Sequence, residues 1–254
     1  MKTVRKAFDI LKLIAEEPEY SYPLREISVP LKMNISTCNL LLKSLVEIGA
    51  VEQKSSRQGY SLGPLLYHLT RNGPYRKDIS VAAELFLHGF TKKTGETILL
   101  SVYHRNQKKR IQIASADGNQ AVNIRLQNLL LDDLYQSASG RLLTAYLPPD
   151  ELNAVLTKYG YPKPDEWMGS DTKKGLERNL ESIRKKGMIA IESRINALGL
   201  IAFPVRQGEQ VVAVVGSPVP LFRFSREKKR LIKELKETAE KISRAISKQK
   251  TGNR

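Results

Sequence analysis

The chain has 254 residues, 41% of them hydrophobic, with 42 Lys or Arg against 26 Asp or Glu and a formal charge of +16. That is enough apolar material for one large or two ordinary domains, and the charge suits a polyanionic partner. The single cysteine, Cys38, excludes an internal disulfide framework and a multi-cysteine metal site and fits a reducing cytosol, while no stretch approaches about 18 uninterrupted apolar residues. The N-terminal residues alternate charged and apolar at helical spacing, without the apolar core of a signal peptide, so the expected location is the cytoplasm, with no membrane partner.

Taken in order, Val4, Ala7, Phe8, Leu11, Ile14 and Ala15 recur every three or four residues and predict a helix that stops before Pro18. A short helix over Leu24 to Leu31 comes after the turn Ser21-Tyr22-Pro23, with Ile27 and Leu31 inward. Pro30 removes an amide from it, so it is short or bent at Val29. The stretch Asn34 to Ile48 then organises the chain. Its apolar set Cys38, Leu41, Leu42, Leu45 and Ile48 falls on one stripe, and Ser36, Leu40, Lys43 and Glu47 point the opposite way. Asn34 or Ser36 caps its start, and Gly49 suits the left-handed position past its end. Free amides and small polar side chains at such a helix start can approach phosphates and base edges in a major groove. An ordinary amphipathic surface helix shares the pattern.

The segment after Gly49 narrows that choice. Ala50–Gln53 and Tyr60–Leu62 read as short strands around a polar tip, 54–59, that carries Lys54 and Arg57. Three helices and a basic hairpin make a winged helix-turn-helix, whose third helix lies in the major groove and whose wing neutralises phosphates. Leu65 to Thr70 continues as a short linker helix, and Asn72-Gly73-Pro74 is the strongest domain break. The predicted domains are therefore 1–72 for DNA binding and 73–250, with a tail over 251–254.

The second region has a mixed α/β pattern. Ile79, Ala82, Ala83, Phe86 and Phe90 form a helix closed by Gly95. Thr97–Tyr103 and Ile111–Ser115 are strands joined by the charged turn Arg105 to Arg110, and the Asp117-Gly118 turn leads to a third strand near Ala121–Ile124. Ser137–Leu147 is a small-residue turn and helix, Pro148-Pro149 starts another, and Leu176, Leu180 and Ile183 mark one ending at Gly187. Strands at Met188–Ser193, Leu200–Val205 and Gln210–Gly216 complete a sheet. The last helix, Ser225 to about Lys248, is apolar along Leu231, Leu235, Ala239, Ile242 and Ile246. Eleven cations against four acids between Arg226 and Arg254 make it a second polyanion surface or a solvated helix face. His68, His88 and His104 lack ligand spacing, and no Gly-rich phosphate loop follows a strand, so no catalytic residue, metal or cofactor is expected.

The arrangement resembles the isocitrate lyase regulator (IclR) family of transcription factors over nearly the whole chain. The similarity rests on Lys6-Ala7-Phe8-Asp9-Ile10-Leu11, Ser36-Thr37 with Asn39-Leu40-Leu41-Leu42, Gly59-Tyr60-Ser61-Leu62-Gly63-Pro64, Thr94-Gly95-Glu96-Thr97, Ser137 to Ala145, and Leu147 to Leu152. It implies an α+β protein: an N-terminal winged helix-turn-helix and a C-terminal GAF-like α/β domain, with a largely antiparallel sheet, that closes over a small-molecule effector. It also implies dimers or tetramers on palindromic double-stranded operators, most simply as a repressor. The residues it places on DNA are Ser36, Thr37, Asn39, Leu40 and Lys43, with Lys54 and Arg57 from the wing.

Two departures stand out. Relatives carry a polar residue at the position of Leu40 and a Lys at that of Ile35, so this reading helix is less basic. Leu40 could contact a thymine methyl or a protein surface. In the effector domain the family's pocket positions fall on Ser139, Gly140, Glu192, Leu200 and Ser217. Leu200 replaces a Cys, and only one hydroxyl remains at Gly216-Ser217-Pro218. Lost polar partners weaken the binding of small oxoacids, which favours a less polar or larger effector, or a pocket that has lost its ligand. The alternatives to an operator-binding regulator are a basic winged-helix protein without operator preference and an enzyme of the GAF-like domain.

Overall fold

The computed structural model describes residues 2–53, 59–70, 73, 75–122, 124, 130–131, 134–193 and 196–251. Contacts divide the chain into two units, Met1–Pro74 and Tyr75–Arg254, a division two residues past the boundary placed from the sequence.

The first unit runs α1 (Lys2–Ile14), α2 (Leu24–Ser28), α3 (Ile35–Glu47), β1 (Val51–Gln53), β2 (Tyr60–Leu62) and α4 (Pro64–Thr70). Its core joins Ile10 and Ile14 of α1, Ile27 of α2, and Cys38, Leu42 and Leu45 of α3. Val4 and Phe8 of the predicted apolar stripe face outward, and Ile10 takes the inward place. The second helix ends at Ser28, short of Pro30, in keeping with the expectation that it is short or bent at Val29. Val29 closes it by donating to the Arg25 carbonyl, and Lys32 turns the chain with φ of 49°. Ile48 also leaves the predicted stripe and is 59% exposed. It is the C-cap of α3, and beyond it Gly49 in the left-handed region redirects the chain, so that Ala50 and Val51 fill the core instead.

The second unit runs α5 (Lys77–Thr94), β3 (Ile98–His104), β4 (Lys109–Ala116), β5 (Leu130–Leu131), α6 (Ala138–Ala145), α7 (Pro149–Tyr159), α8 (Lys173–Lys186), β6 (Ile189–Ser193), β7 (Leu198–Gln207), β8 (Gln210–Pro220) and α9 (Leu221–Thr251). Its strands pair antiparallel in the order β5-β4-β3-β8-β7-β6. One face packs on α5 and α9 through Leu87, Phe90, Leu100, Phe203, Val215 and Leu235. The other packs on α6 and α8 through Leu142, Leu176, Leu180, Ala202 and Val214. Both faces are covered, so successive residues of a central strand enter different layers.

Two predicted features move. The third strand is not at Ala121–Ile124: the described residues there are bends or coil, and the strand beside β4 is Leu130–Leu131. The Asp117-Gly118 turn does not form a hairpin, because it is tied back to the α5–β3 corner. Gly118 N donates to Thr97 Oγ1 at 3.0 Å and Asn119 N to the Gly95 carbonyl at 3.2 Å. The final helix starts at Leu221, straight out of β8, where Leu221 N bonds the Ala197 carbonyl.

At one end of the sheet Glu151 of α7 gathers three partners. It accepts from Tyr103 Oη at 3.1 Å and Lys108 Nζ at 2.9 Å, and its other oxygen meets Arg105 Nε at 2.9 Å. The Lys108 hydrogen bond, then that of Tyr103, holds the carboxyl below its ordinary value against the opposing effect of burial. A carboxyl lowered in the folded state adds stability that is fully present above its unfolded pKa of about 4.3 and is lost as pH falls through the lower folded value. Thermal unfolding from about pH 3 to 7 is expected to show Glu151→Gln destabilised by about 1 kcal/mol at neutral pH, with the difference vanishing in acid.

Candidate nucleic-acid interface and effector face

The start of α3 is built locally. Asn34, in the extended region, accepts from Ser36 N through Oδ1 at 2.8 Å, and no acid occupies the first turn. Of the two predicted caps, Asn34 is the one used. Burial of Cys38, Leu42 and Leu45 fixes the rotation of the helix, and Ser36, Asn39, Leu40 and Lys43, spaced i, i+3, i+4 and i+7, share its outer side. Ser36, Leu40 and Lys43 are exposed, Thr37 and Asn39 half-buried, and Leu40 is 66% accessible. Ile35 is exposed as well, which gives the helix start an apolar, uncharged character.

Lys54 and Arg57 lie outside the described residues. The root of their hairpin is described: β1 and β2 pair from Val51↔Leu62 to Gln53↔Tyr60. Tyr60 also exchanges both backbone hydrogen bonds with Tyr22, at 2.8 and 2.9 Å, which sews the wing to the segment that leads into α2. Gly59 permits that approach, since a Cβ there would run into the Ser21 carbonyl.

Charge is distributed unevenly. Up to Pro74 there are 10 Lys or Arg against 7 Asp or Glu, and from Tyr75 onward 32 against 19. The reading unit is nearly balanced, and the excess of cations that pointed to a polyanionic partner belongs mainly to the other unit.

In the second unit the five predicted effector residues do not share one site. Ser139 and Gly140 start α6, whose N-cap Ser137 accepts from Gly140 N at 3.0 Å. Ser139 lies against Gly216 of β8, where a Cβ would strike its hydroxyl. Leu200 packs in the same α6–α8 layer. Glu192 and Ser217 face the α5–α9 layer. Glu192 alternates with Ile191, which packs on the α6 side, and its exposed carboxylate meets Lys228 of α9 at 2.9 Å. Ser217 lies between Val215 and Val219 and donates to the Thr97 carbonyl at 2.7 Å. Strand alternation separates them from Ser139 across the thickness of the sheet.

The α6 face instead receives polar groups from β3 and β4. Arg110, assigned from the sequence to a turn, belongs to β4, is 3% exposed and donates from Nη1 to Ser101 Oγ at 3.1 Å. Gln112 pairs with Ser101 in register, is 6% exposed, and its Oε1 has no hydrogen-bond partner among the described residues. The alternation Arg110-Ile111-Gln112-Ile113 carried this information: it marks a strand whose polar side points inward.

Known proteins share both halves of this arrangement. Residues 3–55 match the IclR helix-turn-helix domain, and residues 75–244 match the bacterial transcriptional regulator IclR C-terminal domain. The HTH-type transcriptional regulator KdgR of Escherichia coli is 28% identical over 249 residues, covering 96% of this chain and 92% of that protein. The Thermotoga maritima IclR crystal structure aligns with a TM-score of 0.71 at 28% identity, over 97% of this chain and 99% of that one. An IclR homologue from Microbacterium hydrocarbonoxydans, solved with 4-hydroxybenzoate, shares the fold at 20% identity and a TM-score of 0.72, over 96% and 98% of the two chains. A capped reading helix beside a two-stranded wing, followed by a sheet layered between α6–α8 and α5–α9, is the architecture of those relatives, and this chain belongs to the IclR family of transcriptional regulators.

Proposed function

We propose that this protein is a cytoplasmic repressor that acts by binding, without catalysis, as a homodimer or a tetramer on a palindromic operator. Residues up to Pro74 form the DNA-binding unit and those from Tyr75 the effector unit. The observation that carries the reading is the exposed outer stripe of α3 over a buried Cys38–Leu42–Leu45 stripe, on a helix capped by Asn34. Ser36 and Thr37, with the first-turn amides, take a phosphate. Asn39 reads a base edge, Leu40 packs on a thymine methyl, and Lys43, Lys54 and Arg57 neutralise phosphates. Selection of genomic fragments at about 150 mM salt, followed by footprinting, tests it: an enriched palindrome supports the reading, and enrichment no better than random DNA removes it.

The effector is held on the α6 face. Ser139, Gly140 and Leu200 border it, and Gln112 Oε1 calls for a ligand with a hydroxyl or N–H donor. A relative of this fold holds 4-hydroxybenzoate, which carries such a hydroxyl. This reading is compatible with the expected less polar or larger effector, and it leaves Glu192 and Ser217 out of the site.

Binding measurements on variants separate the roles. Asn39→Ala is expected to cost about 1–3 kcal/mol on operator DNA and to relax its sequence preference, whereas Lys43→Ala weakens operator and random DNA alike and reduces the salt slope by about one. Leu40→Ala keeps general affinity and loses preference at one thymine; unchanged preference assigns Leu40 to a protein contact instead. A thermal-shift screen of hydroxylated and aromatic acids, beginning with 4-hydroxybenzoate, identifies a binder for titration. Gln112→Leu is expected to weaken that binder about 5- to 10-fold and Glu192→Gln to leave it unchanged, and the opposite result would return Glu192 to the pocket.

A further inference from the structure

A second cleft, of about 700 Å3, lies on the opposite side of the sheet from Ser139, between the end of α8, the outer edge of β7 and α9. It exists because β6 is short. Pairing of β6 with β7 stops at Ile189↔Ala202, so the edge of β7 from Phe203 onward has no strand beside it among the described residues. The turn at Gly187 walls one side and α9 the other. The floor is apolar, made by Met188, Phe203, Pro204, Ile232 and Ala239. Arg206 N is fixed by donating to Ser243 Oγ at 2.9 Å, which anchors the β7 wall to α9.

The rim is cationic. Lys186, Lys236 and Arg244 border the opening, against one acid, Glu240, which is engaged by Arg244 at 3.5 Å, while the Arg206 guanidinium is turned away over the Tyr146 ring in the α6 layer. Among the described residues neither Lys186 nor Lys236 has an ion-pair partner, although both border apolar surface. α9 as a whole carries eleven cations and four acids. Two lysines without an acidic partner beside an apolar floor select a ligand with an anionic head and an apolar body, and the volume falls in the range of small-molecule sites, about 300–1,000 Å3. A peptide helix needs a longer groove than this cleft offers.

We infer that this cleft is a second ligand site, separate from the effector face, which takes a small amphiphilic carboxylate with its chain on Phe203 and Ile232 and its head between Lys186 and Lys236. The inference does not depend on what the α6 face binds. The test is calorimetric titration of the full-length protein with sodium decanoate at about 150 mM salt, alongside decanol as the uncharged control. One saturable equivalent is expected, with decanol at least about 10-fold weaker. The double variant Lys186→Glu, Lys236→Glu should weaken decanoate at least about 10-fold, and Gln112→Leu should leave it unchanged. If the double variant fails to fold, Lys236→Gln alone, at an exposed position, is expected to weaken binding about 3-fold. Absence of saturable binding below about 5 mM overturns the inference, as does equal affinity in the charge variants, or loss of decanoate binding in Gln112→Leu.

Discussion

The alternation of side chains along β7 and β8 is the constraint on which the second unit depends. Both faces of the sheet are covered, so each residue of these strands is committed to one of two layers, and a step of one position moves a group across the full thickness of the sheet. Ala202 and Val214 belong to the layer that contains α6, and Ile201, Phe203 and Val215 to the layer that contains α9. Which strand residues can reach the α6 layer is therefore decided by parity along the strand. Gly216 meets Ser139 of α6 because its parity along β8 turns it to that layer, whereas Glu192 and Ser217 lie on the other side, on Lys228 and the Thr97 carbonyl.

Much of the first unit was legible because its signals are local. The apolar stripe Cys38, Leu42, Leu45, the cap at Asn34 and the stop at Gly49 act within a few residues of one another, and the helix forms where they place it. The errors there are also local. Ile48 sits on the right angle of the helical wheel, but the helix ends before it can use that angle. The stop of α2 before Pro30, with Val29 as the C-cap, falls where that proline was expected to put it.

The second unit was legible in its elements and opaque in its site. Helices α5, α8 and α9 follow their stripes, yet the strand beside β4 is Leu130–Leu131 and not Ala121–Ile124. Asp117-Gly118 has the chemistry of a hairpin turn, and what defeats it is a tertiary tie, Gly118 N to Thr97 Oγ1, that no local pattern contains. Arg110 was hidden by composition: a run of cations reads as a solvated turn until pairing with Tyr103 places the residue inside the sheet. Motif similarity assigned Ser139, Gly140, Glu192, Leu200 and Ser217 by position in sequence, which does not contain the parity that decides which layer each strand residue enters. The net charge of the chain suited a polyanionic partner but did not locate it, since most of the excess lies beyond Pro74.

The pair of backbone bonds between Tyr60 and Tyr22 has a mechanical consequence. They join the base of the wing to the segment that leads into α2, and α2 is in turn packed on α3 in the core that holds Ile27, Cys38 and Leu42. Helix α3 and the wing root are thus connected through the entry to α2 within one compact unit. A displacement of the α2 entry is thereby passed to the wing root through two backbone hydrogen bonds, so a signal reaching either one reaches both.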